Sequence, residues 1–140
     1  MPDVNVLVNA NRPSSPHHIE AKGWLERSLV AEEPLGLWEV TLVSAYRILT
    51  DPRIWTVPET PESALGYLDS VRAAPATIAL RPGERFWTIF AGLVREVDVR
   101  GPLTSDAMLA ALAIEHRCRI ATFDADFAKF KGVATLRPMP

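Results

Sequence analysis

The chain has 140 residues, 48% of them hydrophobic, a length that suits one domain with a buried core and is too short for two. Its 15 Lys and Arg side chains nearly balance 17 Asp and Glu, so the net charge of -2 neither requires nor excludes a polyanionic partner. A single cysteine excludes an internal disulfide, and the opening MPDVNVLV lacks the basic and long apolar segments of an export signal. We expect one cytoplasmic domain over residues 1–140, without a membrane span.

Proline residues and capping signals divide the first half of the chain into alternating elements. Val4 to Val8 predicts a short strand that passes quickly into a helix. Ser15 as N-cap and Pro16 at the first helical position then predict a helix over roughly 16–30. PLGLW predicts a strand, and EVTLVSAYRILT a helix that the following Asp-Pro pair ends.

The second half continues the alternation. Thr60 and Pro61 signal the start of another helix, and TIAL predicts a third strand. A helix over Gly83 to Arg95 follows, and Thr104 or Ser105 is expected to cap DAMLAALAIEHR, which is apolar nearly all round. RIATF is the next strand. This order predicts a three-layer α/β/α sandwich with a mainly parallel central sheet, whose ligand sites lie at the carboxyl ends of the strands.

Four carboxylates occupy positions that such a sheet would bring to one edge. Asp3 lies in the first apolar segment, Glu39 follows PLGLW, Asp106 opens the apolar helix and Asp124 follows RIATF. Ionised carboxylates gathered this closely repel each other unless a cation compensates them. Oxygen ligands without His or Cys suit Mg²⁺, with Mn²⁺ as an alternative. The sequence therefore predicts a metal site.

Each acid also has a purely structural explanation. Asp106 and Glu39 can favour helix N-termini through the helix dipole, and Asp124 can cap a short helix in which Asp126 occupies the first turn. A third interpretation of the Asp-x-Asp in TFDADF is the nucleophile of a haloacid-dehalogenase-type phosphatase. That motif follows the first strand of its fold and has further acids far downstream, whereas here the chain ends soon after Phe127.

Five stretches carry a family resemblance: PDVNVLVNA, SPHHIEAKGWL, EVTLVSAYRILTDPRIW, LTSDAMLAALAIEHRCRIATFDADFAKF and a closing LRP. Together they resemble PIN domains, and more narrowly the VapC-type toxins of bacterial type II toxin-antitoxin systems. The resemblance implies a PIN fold and a Mg²⁺- or Mn²⁺-dependent endoribonuclease that cleaves structured RNA such as tRNA or ribosomal RNA. It also implies inhibition by a cognate VapB-type antitoxin and a homodimer.

The resemblance assigns roles residue by residue. Asp3, Asp106 and Asp124 correspond to the catalytic, metal-binding acids of the family. Asn5 corresponds to an auxiliary residue beside the first acid, and Asp126 to a further acid near the metal.

Two features depart from the family pattern. The usual second acid lies three residues before an Arg, and the residue three before Arg47 is Ser44, so Glu39 is the nearest candidate for a catalytic replacement. Family members also usually have more residues before their first acid, which raises the expectation of a start upstream of Met1. The alternative function is a catalytically impaired PIN-like module that binds RNA or an antitoxin.

The other conspicuous side chains have structural explanations. His17 and His18 are adjacent in sequence, so they predict a solvated helix start rather than a pair of metal ligands. The side chains of Trp38, Trp55 and Trp87 are expected in the core or at a dimer contact. Arg47 either reaches the acidic edge or closes a salt bridge, and we expect the salt bridge.

Overall fold

The computed structural model describes residues 1–140, in which helices and short parallel strands alternate. The helices are α1 (Val4–Asn11), α2 (His18–Ser28), α3 (Glu39–Leu49), α4 (Pro61–Arg72), α5 (Phe86–Val97) and α6 (Leu103–His116); the strands are β1 (Leu35–Leu37), β2 (Thr77–Ala79), β3 (Ile120–Ala121) and β4 (Thr135–Leu136). A 3-10 helix, Ala125–Lys129, connects β3 to β4. None of the helices combines the length and apolar character required to cross a bilayer.

All strand pairs are parallel. β1 pairs with β2, β3 pairs with β4, and Pro2 forms a single parallel bridge with Ala121 of β3. The backbone N–H of Asp3 donates to the carbonyl of Ala121 at 2.9 Å, which continues this pairing by one residue. Because parallel strands run in the same direction, the residues after Pro2 and after β3 emerge at the same edge.

The side chains of β3 face two separate hydrophobic clusters. Ala121 packs with buried residues of α1, α2, α3 and α4, whereas its neighbour Ile120 packs with the cluster built mainly on α6. Successive side chains of a strand point to opposite faces of its sheet, so β3 lies between two helical layers. This arrangement confirms the predicted α/β sandwich.

Helix α6 is the most deeply buried helix of the second layer. Its buried residues are Ala107, Leu109, Ala110, Ala111, Leu112 and Ala113. These side chains cover nearly the whole circumference of the helix, as the sequence predicts. The first turn of α6, which carries Asp106, is therefore held in place by packing further along the helix.

The predicted strand over Val4 to Val8 is wrong, because these residues form α1. The Asp3 side chain accepts a hydrogen bond from the Val4 N–H at 2.6 Å and caps the helix at its first residue. Burial of Val6 and Leu7 against the first cluster then outweighs the preference of valine for strands. The strand is reduced to the bridge at Pro2.

Helix starts were predicted with mixed success. Thr60 caps α4 as expected, since its side chain accepts from the Ser63 N–H at 3.1 Å. Helix α2 begins at His18 without a side-chain cap, two residues later than expected, and α6 begins at Leu103 after Pro102. The expected caps of α2 and α6 are therefore wrong.

Replacement by alanine is expected to have opposite effects on stability at two glycines, Gly36 and Gly66. At Gly36 of β1, a Cβ atom would lie 2.5 Å from Leu80 Cδ1 in the core, whereas at Gly66 of α4 no atom lies within 4 Å. We expect Gly36→Ala to lower the free energy of unfolding by about 1–3 kcal/mol, because the core is overpacked. Gly66→Ala should raise it by about 1 kcal/mol through helix propensity. Urea denaturation of both variants measures the difference, and equal effects would contradict this packing.

Candidate metal and catalytic site

Three carboxylates converge at the carboxyl end of β3. Asp106 in the first turn of α6, Asp124 after β3 and Asp126 in the 3-10 helix each offer an oxygen, and these oxygens all lie within 4.8 Å of one another. We call these three residues the acidic cluster. They come from separate elements, so the cluster is a product of tertiary packing.

The Asp124 carboxylate also caps the 3-10 helix that follows it. Asp124 Oδ1 accepts a hydrogen bond from the Asp126 N–H at 2.8 Å and thereby caps the 3-10 helix. The Asp124 N–H in turn donates to Thr122 Oγ1 at 3.0 Å. The capping explanation of Asp124 is thus confirmed, and it coexists with the cluster because capping engages only one carboxylate oxygen.

Asp3 lies beside the acidic cluster and is buried. Its Oδ2 accepts hydrogen bonds from Asn5 Nδ2 at 2.6 Å and from Thr122 Oγ1 at 2.7 Å. Burial raises the pKa of Asp3, and the charge of Asp124 adds to this rise, although the hydrogen bonds from Thr122 and Val4 oppose it. Asp3 is thus held rigidly next to the cluster.

The pKa of Asp106 is affected by burial and by the neighbouring carboxylates. Burial, followed by the charges of Asp3, Asp124 and Asp126, raises the pKa of Asp106 to about 6, against the opposing charge of Lys129. Lys129 Nζ lies 2.7 Å from Asp126 Oδ1, and this contact raises the pKa of Lys129. The charges of Asp3, Asp124 and Asp126 therefore act on Asp106 more strongly than the opposing charge of Lys129.

Thr122 and Lys129 are not among the site residues that the sequence predicts. Thr122 bridges Asp3 and the backbone of Asp124, and Lys129 provides the local counter-charge. Thr122 lies directly before the motif FDAD, and Lys129 lies three residues after Asp126, the spacing of a helical ion pair. Both signals are present in the sequence, although each is common without a functional site.

A cavity of about 220 Å³ opens next to the cluster, and its lining includes Asp3, Ser44, Arg47 and Asp106. Ser44, which stands where the family usually has its second acid, is therefore near two of the predicted metal ligands. Arg47 takes part in none of the salt bridges of the chain, so the salt bridge expected for it is absent. The positive charge of Arg47 is available to the cavity.

The structure does not bring Glu39 to the acidic cluster. Its Oε1 pairs with Arg72 Nη2 of α4 at 3.2 Å, and 61% of the Glu39 side chain is exposed. Glu39 lines a different cavity, together with Leu42 and Asp69. It begins α3, whereas Ser44 lies five residues further on, about 7.5 Å along the helix axis. The structure thus separates Glu39 from the acidic cluster, and its catalytic role stays a prediction.

The donor set fits a hard divalent cation. The cluster offers only carboxylate oxygens, and burial together with the charges of the neighbouring acids raises the pKa of Asp106. A divalent ion removes the repulsion between these charges, and Mg²⁺ prefers oxygen ligands of this kind. Asp106 and Asp124 could bind such an ion, with Asp126 within 4.8 Å of both and Asp3 next to them.

The raised pKa of Asp106 predicts a pH-dependent effect of Asp106→Asn on stability. An acid with a raised folded-state pKa contributes stability below its ordinary pKa of 3.8, and this contribution is lost as the pH rises through about 6. In EDTA, Asp106→Asn should therefore become more stable relative to the parent between pH 4 and pH 7. We expect on the order of 1 kcal/mol, since the group is only half-buried and solvent screens it.

Urea denaturation in EDTA at several pH values measures this difference. Added Mg²⁺ should then stabilise the parent more than the Asp106→Asn variant, because metal binding requires the carboxylate. A difference between the two proteins that does not vary with pH would contradict the electrostatic account of the cluster.

Comparisons with known proteins agree with the fold. A sequence model of the PIN domain matches residues 1–133. VapC ribonuclease Mb2897 of Mycobacterium bovis is 40% identical over 137 residues, covering 98% of this chain and 93% of the relative. Ribonuclease VapC25 of Mycobacterium tuberculosis is 35% identical over 136 residues, covering 97% of this chain and 96% of the relative.

Among solved structures, the fold is similar to that in the crystal structure of VapBC2 from Rickettsia felis bound to a DNA fragment from their promoter. The TM-score is 0.72 at 14% sequence identity, over 99% of this chain and 97% of that chain. At this identity the likeness concerns the fold. Taken with the sequence relatives, it shows that the chain belongs to the PIN-domain family and, within it, to the VapC ribonucleases.

Proposed function

We propose that this protein is an endoribonuclease toxin that hydrolyses phosphodiester bonds of structured RNA, such as tRNA or ribosomal RNA, with Mg²⁺ or Mn²⁺. Residues 1–140 would act as one PIN domain. The observation that carries the proposal is the convergence of Asp106, Asp124 and Asp126 within 4.8 Å, beside the buried Asp3. The relatives named as VapC ribonucleases support RNA as the substrate.

The proposed roles follow from the contacts of each side chain. A bound divalent ion supplies Lewis acidity toward a phosphate oxygen and lowers the pKa of a bound water. Asp106, Asp124 and Asp3 are the proposed metal-binding acids, and Asn5 and Thr122 hold Asp3 in its orientation. Asp126, whose side chain is half exposed, is proposed to accept the proton of the attacking water.

We infer two protein partners, an antitoxin from a similar solved structure and a second copy of this chain from exposed apolar side chains. A small VapB-type antitoxin is the proposed inhibitor, since the solved structure with a similar fold is a VapBC assembly. A homodimer is supported by exposed apolar side chains, namely Val43 on α3, which is 67% exposed, and Trp87 on α5, which is 70% exposed. We expect the proposed activity in the cytoplasm, where an RNA substrate and an antitoxin partner would be found.

A second candidate function is a module that binds RNA or an antitoxin without cleaving. The observation that favours it is Ser44, which cannot supply a carboxylate to the cavity that it lines with Asp3 and Asp106. Loss of one acid weakens catalysis more readily than it disturbs the fold. The two functions differ in whether RNA is cleaved when metal is present.

The decisive experiment is incubation with total RNA in Mg²⁺, in Mn²⁺ or in EDTA. We expect cleavage with either metal and none in EDTA. Asp106→Asn should lower the rate by at least about 100-fold, because it removes a proposed ligand while keeping the shape of the side chain. Binding without cleavage by the parent would favour the second candidate. Undiminished cleavage by Asp106→Asn would contradict the assigned site.

Glu39→Gln provides a matched control, because it makes the same acid-to-amide change outside the acidic cluster. We expect its rate to stay within about twofold of the parent, since Glu39 pairs with Arg72 at the surface. If Glu39→Gln loses as much cleavage activity as Asp106→Asn, Glu39 takes part in catalysis. The same gel assay compares all three proteins.

Ser44→Glu should restore a carboxylate to the cavity and tighten Mn²⁺ binding by about 10-fold, since affinity rises with the number of charged ligands. Ser44→Gln is the control, because it adds a side chain of the same size without charge. Isothermal titration calorimetry measures both affinities. Equal Mn²⁺ affinity of the Glu and Gln variants would place Ser44 outside the reach of the metal.

A further inference from the structure

Phe123, the residue directly before Asp124, packs against the side chains of His17 and Arg137. The His17 ring stacks on the Phe123 ring with centroids 4.3 Å apart and an interplanar angle of 11°. The Arg137 guanidinium carbon lies 5.2 Å from the centroid of the same ring. We call His17, Phe123 and Arg137 the Phe123 stack. It assembles the start of α2, the end of β3 and the end of β4.

Backbone and side-chain contacts tie the Phe123 stack to the proposed catalytic site. The Phe123 N–H donates to Asn5 Oδ1 at 3.3 Å, and Asn5 Nδ2 donates to Asp3 Oδ2 at 2.6 Å. Arg137 directly follows β4, which runs parallel to β3. Its side chain therefore belongs to the same edge of the sheet as the acidic cluster.

Arg137 is exposed and takes part in none of the salt bridges of the chain. Lys129, whose charge acts on Asp106, is already paired with Asp126. An uncharged side chain at position 137 could also pack against the Phe123 ring, so this contact alone does not account for the guanidinium of Arg137. Because the guanidinium keeps its donors free against the ring of the residue directly before Asp124, it can bind an anion that the acidic cluster would otherwise repel.

We propose that Arg137 binds a backbone phosphate of the RNA next to the phosphodiester being hydrolysed, and that Phe123 and His17 hold its guanidinium in place. This inference rests on the proposed ribonuclease function. Arg137 has no role in the chemistry of the bond. A phosphate contact contributes affinity and position without reading sequence, so the effect of Arg137 is common to all substrates of the protein.

The test is steady-state cleavage of a short RNA by the full chain with Mg²⁺ over a range of salt concentrations. Arg137→Gln should raise KM by about tenfold and leave kcat within about twofold, as expected when binding common to ground and transition states is lost. The slope of log kcat/KM against log salt concentration should decrease in magnitude by about 0.7–1, the value for one phosphate contact.

Arg117→Gln is the matched control. Arg117 is also exposed and without a salt bridge, but it follows α6 at the end opposite to Asp106, about 16 Å away along the helix axis. Removal of its charge should leave KM and the salt slope at the values of the parent. Arg137→Lys should keep the salt slope of the parent, because the charge remains, while KM rises less than with Gln.

Phe123→Leu tests whether the Phe123 ring holds the Arg137 guanidinium in place. It should raise KM on its own, but it should add little to Arg137→Gln in the double variant, because the ring acts through the guanidinium. Circular dichroism checks that each variant is folded. The inference is overturned if the parent cleaves RNA while Arg137→Gln matches Arg117→Gln in KM and salt slope. If the parent cleaves no RNA with any metal, the proposed function itself fails.

Discussion

The backbone pairing between the first residues and β3 is the constraint on which the site depends. Met1 donates from its amino group to the Arg119 carbonyl at 2.7 Å, and its own carbonyl accepts from the Ala121 N–H at 2.8 Å. Two segments far apart in sequence thereby lie side by side. Only because of this pairing does the Asp3 carboxylate reach the hydroxyl of Thr122, and through Thr122 the segment that carries Asp124.

The acidic cluster opposes folding, and the surrounding structure compensates for it. Burial and mutual repulsion disfavour the ionised form of Asp106, and Lys129 offsets only part of this cost. The cost is met elsewhere by packing, since α6 is buried along nearly its whole length beyond the turn that carries Asp106. Sites held in an unfavourable state by well-packed surroundings are typical of catalytic centres.

Ser44 lines the cavity beside Asp3 and Asp106 and brings no carboxylate to it. Glu39 does not compensate for the missing charge, because its position at the start of α3 directs it to Arg72 of α4. The remaining acids come from α6, the end of β3 and the 3-10 helix. A site built from these acids includes Asp126, whose carboxylate pairs with the Lys129 ammonium group.

The sequence by itself determined the order of most elements, the α/β class and three acids of the cluster. Proline, capping residues and apolar spacing act over a few positions, so the start of α4 and the burial of α6 could be predicted from local patterns. The sequence could also place Asp106 and Asp124 at one sheet edge, since parallel strands have a common direction.

Tertiary structure alone decided where Val4 to Val8 and Glu39 belong. Val6 and Leu7 are buried in the first cluster, and this burial stabilises α1 in a segment with strand propensity. Glu39, at the start of α3, pairs with Arg72 of α4 and lines a separate cavity. The same holds for the stacking of His17 on Phe123, whose residues lie far apart in the chain. Local patterns do not encode these outcomes, because each depends on contacts with elements distant in sequence whose positions are set only when the whole core packs.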